Sequence, residues 1–355
     1  MEPLIEISGL TVDFEQGRRV SRALHGVNLS LAPGGSLGLV GESGSGKSVT
    51  WLAALGLLPG RAKVGGRVRL RGADLLGRPV RELERVRGRH VAMIFQDPSS
   101  SLNPVLRIGR QIGEALKLHR GLTGAGAETE ARRLLDRVGI ANAAQRLRDY
   151  PHELSGGMNQ RAMIAMALAG EPDLLIADEP TTALDATVQA QILALLQEIR
   201  RDTGMAMVLI SHDLGVVAEN VERVCVMYAG RLVEEAPAAA LFARPRHPYT
   251  RGLLAALPAL DGPRQRLAAI PGSVPEPWNL PAGCAFAPRC TEADDACHHQ
   301  PPPDVPVSRS ERVLCFRAGY VRDVNGRELP EPANLPDEAL TAVRAGPIRS
   351  GEVPA

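Results

Sequence analysis

The stretch Gly41-Glu42-Ser43-Gly44-Ser45-Gly46-Lys47-Ser48 spaces two glycines five positions apart and follows them with a lysine and a hydroxyl residue. The apolar run Leu37–Val40 precedes it and the helical pattern Val49–Leu58 follows. In a strand–turn–helix context of this kind, glycines let successive backbone N–H groups curl around a phosphate at a helix N-terminus. Gly41, Ser43, Gly44, Ser45, Gly46 and Val49 line such a cradle. Lys47 is placed to neutralise β- and γ-phosphates, and the Ser48 hydroxyl to hold Mg²⁺. Only Lys47, Lys63 and Lys117 are lysines among 41 basic residues, so a lysine at this position is not background.

Further along, Leu174-Leu175-Ile176-Ala177-Asp178-Glu179-Pro180 is an apolar strand that ends in two carboxylates. Asp178 can hold a water of a Mg²⁺ shell. Glu179 can polarise an attacking water as general base, a role worth roughly 10²–10⁴-fold in rate. Met207–Ile210 is a third apolar run and ends in Ser211-His212-Asp213. Strand ends in parallel sheets converge on the ligand, so His212 is a candidate γ-phosphate contact. Val91–Phe95 adds another strand, and the patterns Met158–Ala169 and Val188–Arg201 read as helices. The fold class is α/β, a largely parallel sheet covered by helices. Pro98–Tyr150 lacks strand signals and reads as a helical insertion, with Gly121–Ala127 as its loop.

The 355 residues suggest two or three domains, and 44% apolar content excludes a wholly disordered chain. A net charge of +1 argues against a nucleic-acid binder. Residues 61–90 hold ten Arg or Lys against three acids, which a solvated β-ribbon explains better than a polyanion site. No apolar run reaches the ~18 residues of a membrane helix. Met1–Phe14 has no basic n-region, so a cytoplasmic chain is expected. Pro258, Gly262 and Pro263 break the pattern after Leu257, which separates residues 1–258 from 259–325. Five prolines after Asn325 mark 326–355 as a disordered tail.

Leu154-Ser155-Gly156-Gly157-Met158-Asn159-Gln160-Arg161 lies between these elements. Together with the phosphate loop, Gln96, Asp178-Glu179 and His212, it resembles the ATP-binding-cassette (ABC) ATPases of membrane transporters. The resemblance implies a P-loop core with a helical subdomain (about 98–165), an antiparallel β subdomain and a small Cys-containing C-terminal domain. It implies that Phe14 stacks on adenine and that Gln96 joins Mg²⁺ to the membrane-coupling groove. Asp185, in Thr181-Thr182-Ala183-Leu184-Asp185, then lies in the dimer-interface loop. Ser155, Gly156 and Gly157 would act on the ATP of a partner subunit. Met158 stands where the family usually has Gln, as in the oligopeptide and dipeptide importers. Phe95-Gln96-Asp97-Pro98, Ser101-Leu102-Asn103-Pro104, Asp149-Tyr150-Pro151-His152-Glu153 and Arg246-His247-Pro248-Tyr249-Thr250 resemble that branch as well. The implied partners are a second, different ATPase subunit, two transmembrane permeases and an extracytoplasmic solute-binding protein. The implied location is the cytoplasmic face of the inner membrane. Importers of nickel, glutathione-like solutes or antimicrobial peptides share much of the motif set. A soluble ABC protein acting on ribosomes or DNA usually has a second cassette or a coiled-coil insertion, and this chain has neither.

Four of the five cysteines, Cys284, Cys290, Cys297 and Cys315, fall within 32 residues in the pattern C-x5-C-x6-C-x17-C. Clustered thiols in a reducing compartment suggest metal ligation. Zinc sites usually use paired C-x2-4-C turns, missing here. A [4Fe–4S] cluster takes four thiolates, and the resemblance favours it over Zn²⁺, for which His298 and His299 are spare ligands. Cys225, in the apolar run Val224–Tyr228, reads as a core residue.

Overall fold

Apolar runs of four to six residues become strands buried on both faces. In chain order the strands are β1 (Ile5–Gln16), β2 (Arg19–Leu31), β3 (Ser36–Val40), β4 (Ala62–Leu70), β5 (Ala73–Asp74), β6 (Val91–Ile94), β7 (Leu174–Asp178), β8 (Ala206–Ser211), β9 (Arg223–Tyr228), β10 (Arg231–Pro237), β11 (Asp304–Pro306) and β12 (Arg312–Leu314). This computed structural model describes residues 2–17, 19–97, 101–182, 184–256 and 269–318. The expected break after Leu257 and the Pro-rich tail lie outside them.

The main sheet runs β11-β12-β10-β9-β3-β8-β7-β6. Its five strands β9, β3, β8, β7 and β6 are parallel. Successive side chains go to opposite faces. On one face Leu37, Leu39, Leu174, Ile176, Val208 and Ile210 pack with Trp51 and the first strands. On the other, Val40, Leu175, Ala177, Leu209 and Val226 pack against helices. Helix Leu214–Asn220 lies so close to β3 that a Cβ on Gly38 would stand 2.1 Å from Val217 Cγ1.

A second, antiparallel sheet, β2-β1-β4-β5, supplies the expected β subdomain. Only the first half of the basic stretch lies on or beside it, with Lys63, Arg67 and Arg69 on β4, while Arg81 and Arg85 stand on the helix Val80–Val86. Lys63 pairs with Glu15 at 2.5 Å, Arg67 with Asp74 at 3.1 Å and Arg69 with Glu6 at 3.7 Å. These exposed pairs are screened by water, contribute little to stability and solvate the ribbon.

Helices Ile108–Arg120, Gly124–Arg137, Ala143–Arg146 and Gly156–Leu168 form the helical subdomain around Ile112, Leu116, Leu134, Leu135, Met163 and Ile164. Its loop is shorter than Gly121–Ala127. Gly121 ends the first helix at φ +70°, and the next begins at Gly124. Gly124 opens that helix at φ +57°, a left-handed conformation that glycine adopts without steric cost. The C-terminal segment joins the main sheet, with β12 pairing β10 and β11 pairing β12.

Candidate nucleotide site

Parallel strands put their C-terminal ends at one edge, and the order β3-β8-β7-β6 sets which groups stand side by side there. β3 leads into the phosphate loop, β8 into His212, β7 into Asp178-Glu179, and β6 into Gln96. A cavity of about 830 Å³ opens at this edge; among its walls are Phe14, Ser43, Gly44, Gly46, Lys47, Ser48, Val49, Gln96, Glu179 and His212. Gly41, Ser45 and Asp178 lie beneath it.

The loop is held tightly. Gly41 sits at φ +151°, and a Cβ there would lie 2.2 Å from the Met227 carbonyl oxygen. Gly46 adopts φ +105° under Leu24 and Met227. Gly230 N–H donates to the Ser45 carbonyl at 2.8 Å. Helix Lys47–Ala54 begins directly after the loop. The buried Lys47 ammonium donates to the Gly41 and Glu42 carbonyls at 2.8 and 3.0 Å. Burial lowers its pKa, while Glu179, Asp178 and Glu42 pull in the opposite direction.

Glu179 Oε2 is the hub of the opposite wall. It accepts from Gln96 Nε2 at 3.1 Å and Thr182 Oγ1 at 2.9 Å, and lies 3.3 Å from His212 Nδ1. The Glu179 backbone is left-handed at φ +47°, a conformation that costs a non-glycine residue energy and recurs at functional sites. Burial raises the Asp178 pKa, a hydrogen bond from Ser48 lowers it, and neighbouring Glu179 raises it again. Asp178 Oδ1 is buried without a hydrogen-bond partner. A buried orphan carboxylate oxygen beside the Ser48 hydroxyl suits a hard divalent cation, so these residues fit Mg²⁺.

The remaining motif residues stand elsewhere. Ser155 caps helix Gly156–Leu168, its Oγ accepting from Met158 N–H at 3.3 Å, and Gly156 has no neighbour near its Cβ position. Ser155 and Gly156 are exposed. Asp185 likewise caps helix Ala186–Thr203, accepting from Val188 N–H at 2.9 Å, and is exposed. These motifs turn outward from the chain's own cavity.

Two residues brace the phosphate loop: Tyr249, read from sequence only as part of the Arg246–Thr250 resemblance, and Arg289, which was not singled out. Glu42 N–H donates to Tyr249 Oη at 2.8 Å, and the Glu42 carboxylate accepts two bonds from Arg289 at 2.9 and 3.1 Å. Arg289 also donates to the Pro271 carbonyl at 2.7 Å and lies over the Tyr228 and Phe286 rings. The Arg246–Thr250 motif serves this brace. The buried Glu234 carboxylate accepts from the Arg246 and His247 N–H groups at 2.8 and 2.9 Å, while Tyr249 N–H donates to His247 Nδ1 at 3.0 Å. Burial takes the His247 pKa down to about 3. The motif itself and the position of Arg289 beside Cys290 were the available signals.

Cys284, Cys290, Cys297 and Cys315 line one narrow cavity of about 20 Å³, with His247 beside them. His298 and His299, the spare zinc ligands expected from sequence, are exposed and outside that lining; the nearby imidazole is His247. Among the described residues no group of three or more His, Cys, Asp or Glu is arranged to hold a single metal ion. Burial pushes Cys297 up to about 11 and Cys315 up to about 12. Cys225 is fully buried in the core. No described helix is long and apolar enough to cross a membrane.

The fold and this edge define a P-loop nucleotide hydrolase of the cassette type. Residues 24–182 match the ABC transporter family model, and residues 233–297 match the model for the C-terminal region of oligopeptide/dipeptide transporters. A protein of Brucella abortus, described by its name as a candidate peptide import ATP-binding protein, is 55% identical over 296 residues, covering 83% of this chain and 89% of that one. A Brucella melitensis protein with the same description is 50% identical over 331 residues, 89% of this chain and 97% of that one. Among solved structures, a dimeric post-hydrolysis ATP-binding cassette bound to ADP and Pi matches with TM-score 0.60 and 26% identity, over 66% of this chain and 98% of that one. The chain belongs to the ABC transporter ATPases, in the oligopeptide/dipeptide transporter branch.

Proposed function

We propose that the chain is the ATP-hydrolysing motor subunit of a peptide importer, peripheral on the cytoplasmic side of the membrane. The observation that carries this is the convergence of Lys47, Ser48, Asp178, Glu179, His212 and Gln96 on one cavity edge in a chain with the peptide-transporter C-terminal region. Lys47 exchanges its two loop carbonyls for β- and γ-phosphate oxygens when nucleotide enters. Phe14 contacts the base. Ser48, Gln96 and Asp178 would hold Mg²⁺, which neutralises phosphate charge when bound. Glu179 accepts the proton of the attacking water, and His212, beside Glu179 Oε2, orients the γ-phosphate.

Ser155, Gly156 and Gly157 serve the ATP of a second ATPase subunit, their exposed helix N-terminus supplying N–H donors from the far side. Asp185 lies at the same interface. ATP then joins the two subunits and hydrolysis releases them. An apolar cleft of about 660 Å³ between the core and the helical subdomain is lined by Leu57, Met93, Phe95, Met163 and Met166. Phe95 and Leu57 are 40% and 39% exposed there, which suits docking of the permease subunits beside Gln96. An extracytoplasmic binding protein delivers the peptide.

The four cysteines hold a [4Fe–4S] cluster. Thiols spread around a cavity suit a multi-iron core better than a lone Zn²⁺. The cavity is narrower than such a core. The cluster staples a segment with a small core of its own.

Co-expression with permease subunits of the same branch tests the motor reading: peptide-stimulated ATPase activity in the membrane complex is expected. A chain that purifies with ribosomes instead would overturn it. Anaerobic analysis tests the metal: about four iron and four sulfide per chain are expected, and one zinc without sulfide would replace the cluster.

A further inference from the structure

The polar end of the cavity is accounted for by phosphate and metal contacts. Its apolar walls include Phe14 on β1, Val49, Leu253, and Pro275, Pro277, Trp278 and Leu280 from the C-terminal segment. Trp278 is 63% exposed, in a chain with only 3% aromatic residues and whose other tryptophan, Trp51, is fully buried. A tryptophan exposed at a cavity wall presents a large flat apolar face to whatever enters the cavity.

Its presentation is fixed by local chemistry. Asn279 N–H donates to the Glu276 carbonyl at 2.8 Å, which makes Glu276-Pro277-Trp278-Asn279 a hydrogen-bonded turn. Pro277 presets the backbone at the position where turns favour proline. Trp278 is therefore displayed from a turn and not from a loose loop. The segment is also anchored to the core: Ile270 would meet a Cβ on Gly252 at 2.9 Å, and Arg289 binds the Pro271 carbonyl while gripping Glu42 of the phosphate loop.

We propose that Trp278 is a second base-contacting residue of the nucleotide site, supplied by the C-terminal segment on the wall away from the phosphates. This rests on reading the cavity as the ATP site. Aromatic rings recognise a nucleobase by stacking on its π-face, and removing such a ring typically weakens binding by about tenfold or more. The four-cysteine segment then contacts the nucleotide directly.

The test is calorimetric titration of the 355-residue chain and its Trp278→Ala, Trp278→Phe and Phe14→Ala variants with ADP and with inorganic tripolyphosphate. Trp278→Ala is expected to weaken ADP about tenfold, leave tripolyphosphate affinity unchanged and recover with Trp278→Phe. ADP should also quench the emission of the exposed tryptophan in the unsubstituted chain. Equal ADP affinity for Trp278→Ala and the unsubstituted chain would overturn the proposal while leaving the phosphate site intact. Equal weakening of ADP and tripolyphosphate would make Trp278 a structural residue, which also overturns it. Failure of the unsubstituted chain to bind either ligand would instead remove the nucleotide reading itself.

Discussion

The phosphate loop and the Ser155–Gly157 turn are both glycine-rich entries to helices, yet the fold treats them in opposite ways. The loop is enclosed: Ser45 is fully buried, Gly41 lies against the Met227 carbonyl, and Glu42 is held by Tyr249 and Arg289. The turn at Ser155 is open, with Gly156 facing nothing within 4 Å. Both present N–H donors at a helix start, but only the first has its catalytic complement in the same chain. On the proposed reading, half of each site is built here, and the other half is a surface that a second subunit would complete.

The sharpest way to break this comparison is Glu179→Gln. Loss of the proton acceptor is expected to lower steady-state ATP hydrolysis by roughly 10²–10⁴-fold with nucleotide binding retained; unaltered turnover would remove Glu179 from the chemistry. Gly41→Ala against Gly156→Ala comes next. The first forces a Cβ into the Met227 carbonyl at positive φ and should cost about 2 kcal/mol or more, together with nucleotide binding. The second should leave melting and monomer nucleotide binding within about 0.5 kcal/mol yet suppress turnover in the assembled transporter. Similar melting losses for both would erase the contrast.

Arg289→Ala probes the brace. Glu42 would be left half-covered without its partner, for an expected loss of about 2 kcal/mol in urea unfolding. Glu42→Gln in the same background should then add little, and additive losses would argue that the two residues act separately.

The smallest effect concerns how the open turn is carried. In the helical subdomain, hydrogen bonds from Arg133 and then Arg120 hold the Glu130 pKa down to about 2, against the opposing effect of burial. Because the folded pKa is depressed, this carboxylate stabilises the fold above the unfolded value near 4.5, and that stability is lost as pH falls toward 2. Glu130→Gln should therefore cost about 1 kcal/mol at pH 7 and progressively less below pH 4. A gap that does not change with pH would assign the effect to packing.

The motifs were legible because each is local. A phosphate loop needs only glycine torsions, a lysine and a following helix, all within one turn of chain. The strands were legible because parallel strands buried on both faces must be continuously apolar, and their ends came within a residue or two. The Gly121–Ala127 loop was read too long because three glycines resemble a break, whereas Gly124 opens the second helix at φ +57° and Gly126 lies within it. The sequence alone thus determined the P-loop core and the family, and it named the residues proposed for hydrolysis. Only the tertiary structure decided that Gln96 meets Glu179, since that follows from β6 pairing with β7. It also decided that Tyr249 and Arg289 grip Glu42 from 207 and 247 residues away, and that Trp278 borders the nucleotide cavity. Such contacts follow from strand order and from how a proline-rich segment packs, and no local periodicity encodes either.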